Sequence, residues 1–245
     1  MAGFRVYLPE GAPASGPLEL PPSEAHHLSR VLRARVGDAV TLLDGKGNAW
    51  EAVISDVAPR KVQVDVAEQL APAPPPAPVT LSLALVKGKA FDEVLRHATE
   101  IGVRTIQPVL TQRCEVKIVA DRAENKLEHW QAVAVEACKQ SGNRWLPEIV
   151  EPVPLKAAAT ASGQGVIRLV ASLEDASVPL GQVLQRMDAA TALEVMIGPE
   201  GDFTPEEYAL LAESGYRPVR LGTHVLRAET AALYALSVID QGCLQ

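Results

Sequence analysis

Aromatic residues, cysteines and positive charge are all scarce in this chain of 245 residues. Phe, Trp and Tyr make up only 4% of it, while 47% of the residues are hydrophobic, so the core has to consist mainly of Leu, Val, Ile and Ala. The three cysteines, Cys114, Cys138 and Cys243, are an odd number without the spacing of a zinc site. We therefore expect reduced thiols in a cytoplasmic protein rather than a disulfide framework.

Long apolar runs are absent as well. No stretch reaches the roughly 18 consecutive apolar residues that a membrane-spanning helix needs, and the first residues, MAGFRVYLPEG, lack the apolar segment of a secretory leader. We expect no membrane partner. The net charge of −7 excludes a general polyanion binder, so a nucleic-acid partner would need a local basic surface. His26 and His27 point in different directions on a helix and have no suitably spaced carboxylate, so we expect no metal site.

A proline-rich segment, APAPPPAP at 71–78, separates two sequence patterns. Before it, short alternating β segments surround one predicted helix, Glu24–Leu32, for which Ser23 is a good N-cap. Gly45-Lys46-Gly47-Asn48 predicts a hairpin, and the alternation of KVQVDVA at 61–67 places three valines on one face. This half is predicted to be a small β-barrel or curled sheet with one helix.

After the prolines, predicted strands and helices alternate, which is typical of an α/β layer structure with a mainly parallel sheet. We therefore predict a β-barrel domain over 1–71, a hinge over 72–78 and an α/β domain over 79–245. The alternative is that the proline segment is a rigid surface loop inside one domain.

The residues IGPEGDF at 197–203 follow a predicted strand and lead into a helix. Thr204, Pro205 and Glu207 predict a capping box, and Phe203 and Tyr208 occupy the positions of a hydrophobic staple. A helix start that is closed by its own side chains and has an acidic first turn is a poor phosphate site. The bare backbone and carboxylates of the turn suit a neutral heterocycle or a cation. Alternatively, its glycines only make a tight turn.

A second glycine loop, LGTHVLRAETAA at 221–232, also follows a strand and precedes a helix. Gly222 permits the turn, and Glu229 and Thr230 lie where helices are commonly capped. Arg227 and Glu229 could equally be a surface ion pair of little energetic value. Taken alone, this second loop is weak evidence for a site.

Together, IGPEGDF and LGTHVLRAETAA closely resemble the C-terminal signature of the 16S ribosomal RNA uridine-N3 methyltransferases, a family of the SPOUT class of knotted S-adenosylmethionine enzymes. The resemblance continues through HHLSRVLRARVGD at 26–38, KGKAFDEVLRHATEIGV at 87–103, the RC pair at 113–114 and EACKQSGN at 136–143. It implies a trefoil-knotted α/β domain with a mainly parallel sheet, a PUA-like β-barrel before it, and a homodimer. Four positions depart from the family pattern, namely His97, Asp202, His224 and Ala228.

The resemblance also implies S-adenosylmethionine as cofactor and assigns its binding to residues of the two loops: Ile197, Gly198, Gly201, Leu221, Gly222, Val225, Leu226, Thr230 and Ala231. Methylation at N3 of uridine requires an in-line attack by a nitrogen that has lost its proton. Arg227 is the candidate for stabilising charge on a uracil carbonyl, and Glu229 or Glu200 for accepting the proton. Alternatively, Glu229 caps its helix and Glu200 orients the turn.

For RNA contact, His26, Arg30 and Arg33 have the i, i+4, i+7 spacing of one helical face, and Arg35 follows. Lys87 and Lys89 belong to a second basic cluster, and Lys139 with Arg144 to a third. Any of these clusters could also be only a solvated surface.

The expected function is methylation of N3 of a specific uridine in 16S rRNA, with free rRNA or the small ribosomal subunit as partner. Two alternatives remain at this point: a non-catalytic RNA-binding factor for ribosome assembly, and a knotted methyltransferase that acts on tRNA.

Overall fold

The computed structural model describes residues 3–58, 60–114, 123–161, 163, 165–187 and 191–243. The chain divides into two compact units. The first combines Met1–Pro75 with Val135–Leu146, and the second combines Pro76–Ala134 with Pro147–Gln245. The first unit therefore includes a segment from beyond the proline-rich stretch, and the domain bounds drawn from the sequence stay a prediction.

The first unit is built on a five-stranded sheet with the order β1-β3-β4-β5-β2. The strands are β1 (Phe4–Tyr7), β2 (Gly16–Glu19), β3 (Ala39–Leu43), β4 (Ala49–Ala58) and β5 (Lys61–Gln69). The predicted hairpin is confirmed, since β3 and β4 pair in antiparallel fashion on either side of 44–48. The alternation in β5 is also confirmed: Val62, Val64 and Val66 are all buried in the core of this unit.

The helix of the first unit is shorter than predicted. Helix α1 (Pro22–His26) begins after Pro21, without a side-chain cap, so the cap predicted at Ser23 is wrong. A single π-helical turn, His27–Val31, follows it and is closed by a bond from the Leu32 N–H to the His27 carbonyl (3.0 Å). A five-residue step of this kind has no signature in the 3.6-residue periodicity from which the helix was predicted.

The second unit holds an eight-stranded sheet in which every described pairing is parallel. Its strands are β6 (Val79–Ala84), β7 (Thr105–Leu110), β8 (Glu148–Ile149), β9 (Val153–Pro154), β10 (Ile167–Ala171), β11 (Val178–Pro179), β12 (Leu193–Ile197) and β13 (Arg217–Arg220). The helices that follow α1 along the chain are α2 (Ala90–Ile101), α3 (Ala123–Ser141), α4 (Leu155–Ala161), α5 (Leu180–Leu184), α6 (Pro205–Glu213) and α7 (Ala228–Cys243). The predicted alternation of strands and helices is thus confirmed.

Strand order fixes which ends of this sheet come together. The order is β11-β13-β10-β12-β6-β7-β8, with β9 paired to β7. Strand β10 therefore lies between β12 and β13, and the carboxyl ends of all three point the same way. All five residues of β12 are buried, as expected for a strand with both faces covered. Within the described part of the chain, no helix is long and apolar enough to cross a membrane.

Candidate active site

A cavity of about 280 Å³ opens at the carboxyl ends of β10, β12 and β13. Ligands of open α/β sheets bind outside the carboxyl ends of the strands. Three loops and the first turns of α7 form its walls. Both glycine loops singled out in the sequence are among these walls.

The first wall is the loop after β12, in which Gly198, Pro199, Glu200 and Asp202 line the cavity. A β-carbon added at Gly198 would lie 3.0 Å from the ring of Phe203, so only glycine fits without a shift. The packing of the Phe203 ring against Gly198 therefore fixes the main-chain path of this loop.

The helix after this loop starts as predicted. The Thr204 hydroxyl accepts from the Glu207 N–H (3.2 Å), and the Glu207 carboxylate accepts from the Thr204 N–H (2.9 Å), which completes the capping box. The rings of Phe203 and Tyr208 meet edge to face with centroids 5.4 Å apart, so the predicted staple is confirmed. Because these backbone N–H groups at the start of the helix already have acceptors, they are not free to bind a phosphate.

Side-chain hydrogen bonds tie this loop and the helix after it to the segment after β7. The other oxygen of the buried Glu207 carboxylate accepts from the Gln112 N–H (2.7 Å). The Arg113 guanidinium donates to the carbonyl of Gly201 (2.6 Å). The sequence placed Arg113 in a family motif but predicted no role for it, because its partner is 88 positions away.

The second wall is the loop after β13, where Leu221, Gly222, Val225 and Leu226 line the cavity. A β-carbon added at Gly222 would meet no protein atom within 4 Å, and its φ is not positive. Neither backbone conformation nor packing inside the chain therefore requires glycine here. The missing side chain leaves room in the cavity.

The third wall was not predicted. Ala171, Ser172 and Leu173, at and just after the end of β10, complete the lining. They carry no motif that would mark them. They could have been found only if the position of β10 between β12 and β13 had been known.

Most of the residues proposed from the sequence lie at this cavity. Seven of the cofactor candidates line it, whereas Gly201 and Thr230 are exposed and lie outside the lining. The seven are Ile197, Gly198, Leu221, Gly222, Val225, Leu226 and Ala231. Glu200 and Arg227 also line it, and both are exposed. Glu229 lies in the first turn of α7, outside the lining, with its carboxylate 4.0 Å from Arg227.

The basic residues predicted to contact RNA are exposed in their respective units. In the first unit these are His26, Arg30, Arg33 and Arg35. The prediction that Arg33 shares a helical face with His26 and Arg30 is wrong, because Arg33 follows the π-helical turn with φ +54°. Val31 and Leu32 are exposed between Arg30 and Arg33, and Val36 is exposed just after Arg35.

Among the other basic residues, Lys87 and Lys89 of the second unit are exposed just before α2. Lys139 is buried and paired with Glu24 (3.1 Å) and Glu136 (2.8 Å), so it does not form the third basic cluster that was predicted with Arg144. The sequence missed this pairing because Glu24 is 115 positions away from Lys139. Among the described residues, no group of three or more His, Cys, Asp or Glu could hold a metal ion.

Comparison with known proteins matches both parts of the chain. Residues 73–240 match the RNA methyltransferase domain family, and residues 20–67 match an RNA methyltransferase PUA domain. The chain belongs to the RNA methyltransferase family, with a PUA domain before the methyltransferase domain, as the sequence motifs predicted.

Among its relatives is the ribosomal RNA small subunit methyltransferase E of Synechocystis sp., which is 37% identical over 221 residues, 89% of this chain and 71% of the relative. The crystal structure of ribosomal RNA small subunit methyltransferase E from Neisseria gonorrhoeae bound to S-adenosylmethionine is similar over 98% of both chains, with a TM-score of 0.88 and 30% identity. A putative methyltransferase from Legionella pneumophila in complex with the same cofactor gives a TM-score of 0.89 and 32% identity, again over 98% of both chains.

Proposed function

We propose that this protein transfers a methyl group from S-adenosylmethionine to N3 of a specific uridine in 16S rRNA. The observation that carries the proposal is the convergence of IGPEGDF and LGTHVLRAETAA, which follow strands that are not neighbours in the sheet, on one cavity at the carboxyl ends of β10, β12 and β13. Relatives across nearly the whole chain are named as small-subunit rRNA methyltransferases, and two similar structures hold the cofactor.

The residues present fit this cofactor. The cavity volume of about 280 Å³ is near the lower end for a small-molecule site. Leu221, Val225 and Leu226 provide apolar surface for a heterocycle, and Gly222 leaves the space that a side chain would take. The carboxylates of Glu200 and Asp202 suit a cation, and the closed start of α6 suits a ligand without phosphate.

The cofactor supplies an electrophilic methyl group on a positively charged sulfur. The protein has to hold the uracil ring in line with that methyl, stabilise the imide anion and take the N3 proton. Arg227 lines the cavity with its guanidinium in solvent, where it can meet the O2 or O4 carbonyl of an entering base. Glu200 is the proton acceptor that the geometry favours, since Glu229 lies outside the lining and adjoins Arg227.

RNA binding is proposed for the exposed basic residues His26, Arg30, Arg33 and Arg35 of the PUA domain and Lys87 and Lys89 of the catalytic domain. Phosphate contacts of this kind position a nucleic acid without reading its sequence. The arginines around the π-helical turn can bind phosphates, while Val31 and Leu32 between them can contact unstacked bases.

A homodimer in the cytoplasm is also part of the proposal. Leu173 and Val225 at the cavity mouth are 60% and 75% exposed, and Tyr234 borders a groove between α5 and α7. Exposed apolar side chains of this kind are typical of protein interfaces. Light scattering coupled to size-exclusion chromatography tests the dimer, and a monomer at micromolar concentration would contradict it.

The decisive experiment is complementation of a strain that lacks its own 16S uridine-N3 methyltransferase. N3 methylation blocks Watson–Crick pairing, so primer extension on 16S rRNA should stop at one uridine when the wild-type protein is expressed. An Arg227→Ala variant should lose the stop. Cofactor binding by calorimetry with full-length protein but no stop in rRNA would favour the tRNA alternative, and no cofactor binding would favour the assembly factor.

A further inference from the structure

Asp202 holds an unusual backbone conformation at the cavity wall. Its φ is +61°, in the left-handed region, which among the described residues other than glycine is shared only by Arg33. Such a conformation costs roughly 1 kcal/mol for a residue with a β-carbon, although aspartate tolerates it better than most. Strain of this kind persists where neighbouring contacts hold it, and it is concentrated at functional sites.

The contacts that hold Asp202 all come from its own loop and helix. Its Oδ1 atom accepts from the Phe203 N–H (2.8 Å) and from the Tyr208 hydroxyl (2.8 Å). Its own N–H donates to the Pro199 carbonyl (2.9 Å). Burial is the largest of the effects that raise the pKa of Tyr208, so the phenol stays a hydrogen-bond donor at neutral pH. Both bonds to the carboxylate engage the same oxygen, and the side chain is fixed while it lines the cavity.

The other charged groups of the cavity are less constrained. Glu200, Arg220 and Arg227 line it but are exposed, and solvent screens their charge. Asp202 is partly buried. A fixed charge in a partly buried position acts more strongly on a ligand than a mobile one in water.

Methyl transfer changes the charge of the bound cofactor. The carbon–sulfur bond breaks, its electron pair stays on sulfur, and the cationic sulfonium becomes a neutral thioether while the methyl goes to the base. We propose that the Asp202 carboxylate makes the site discriminate between these two forms, binding the sulfonium donor more tightly than the thioether product. This rests on the proposed function, and it adds a specificity-determining residue that promotes product release.

Calorimetry with S-adenosylmethionine and S-adenosylhomocysteine tests the inference on the full chain. Asp202→Asn keeps an oxygen acceptor for Phe203 and Tyr208 and tolerates a positive φ, but it removes the charge. We expect the Kd for S-adenosylmethionine to rise roughly three- to tenfold, and the Kd for S-adenosylhomocysteine to change less than about twofold. Tyr208→Phe is the matched control: it removes one of the two hydrogen bonds to Oδ1 but keeps the carboxylate and its bond from the Phe203 N–H, which still fixes the side chain, so the ratio of the two constants should stay near the wild-type value.

The outcomes separate the inference from the proposed function. If wild-type protein binds neither compound, the proposed function fails. If the wild type binds both, and Asp202→Asn weakens both equally or neither, Asp202 only shapes the turn and the inference is overturned. Asp202→Gly keeps the backbone conformation without any side chain, so it should show the same loss of discrimination even if the asparagine variant is unstable.

Discussion

The Arg113 guanidinium donates a 2.6 Å hydrogen bond to the carbonyl oxygen of Gly201. A longer contact of 3.4 Å reaches the carbonyl of Phe203. Arg113 does not line the cavity, yet it holds the loop that does. The position of the IGPEGDF loop therefore depends on a side chain from the segment after β7.

Removing this guanidinium should loosen the loop, although it removes no atom from the cavity lining. For Arg113→Ala we expect cofactor affinity to fall about fivefold, since an exposed charge-assisted hydrogen bond contributes about 1 kcal/mol. Calorimetry measures the change. Arg96→Ala, which removes an exposed arginine from α2, is the control and should bind like the wild type. Equal affinity for Arg113→Ala and wild type would mean that the loop holds itself in place.

A substitution at Gly222 should change cofactor binding without changing the stability of the protein. A β-carbon there meets no protein atom within 4 Å, so Gly222→Ala should leave the thermal midpoint within a degree or so of the wild type. The same methyl group takes cavity space, and we expect the Kd for S-adenosylmethionine to rise about tenfold.

The opposite behaviour is expected at Gly215, which ends α6 with φ +85° and also has open space around it. Gly215→Ala should lower stability by about 1 kcal/mol and leave the Kd unchanged. If the two glycine variants behaved alike, the role given to Gly222 would be wrong.

Glu206 and Glu207 are neighbours with different surroundings. Glu207 is buried and accepts from the backbone N–H groups of Gln112 and Thr204, so Glu207→Gln should cost about 1–3 kcal/mol in the free energy of unfolding. Glu206 is exposed, and Glu206→Gln should change the free energy of unfolding much less. Urea unfolding of both variants measures the difference, and equal losses would contradict the role assigned to the capping box.

Cys138 should not react with thiol reagents in the native protein. Burial raises the pKa of its thiol from 9.0 to about 12, and the reactive form is the thiolate. We expect no reaction of Cys138 with a disulfide reagent at about pH 8 until the protein is unfolded, as judged against a Cys138→Ala variant.

The same shift gives a pH dependence. Because the native thiol holds its proton above pH 9.0 while the unfolded one releases it, the stabilisation is complete below pH 9.0 and is lost as pH rises towards about 12. The wild type should therefore lose stability faster than Cys138→Ala on going from about pH 8 to about pH 10.5. If stability changed with pH in the same way in the two proteins, the raised pKa of Cys138 would be contradicted.

RNA affinity should depend on the arginines around the π-helical turn. Changing Arg30, Arg33 and Arg35 together to alanine should weaken binding of a 16S rRNA transcript and reduce the slope of log affinity against log salt by about 0.7–0.9 for each phosphate that these arginines neutralise. Cofactor affinity should not change. Arg60→Ala, at an exposed turn of the same unit, is the control. An unaltered slope in the triple variant would remove these residues from the RNA surface.

Features that depend on neighbouring residues could be predicted from the sequence, and those that depend on distant partners could not. The start of α6 after Thr204 follows from local chemistry, and it was predicted. The burial of Lys139 was not, because Glu24 lies far away in the chain. The same holds for the residues of the site. The two glycine loops can be recognised in the sequence, whereas Ser172 lies at the cavity only because of the order of the strands.

The pairing of β6 with β12 also affects how the chain can fold as it is made. Val79 pairs with Leu193, so the centre of the parallel sheet cannot close until more than a hundred further residues have been translated. At typical rates of about 5–20 residues per second this is a delay of roughly 6–23 s. During that time β6 has an unpaired edge, and no cavity can exist. A protein proposed to modify ribosomal RNA therefore has no site of its own until β10, β12 and β13 have all been synthesised on a ribosome.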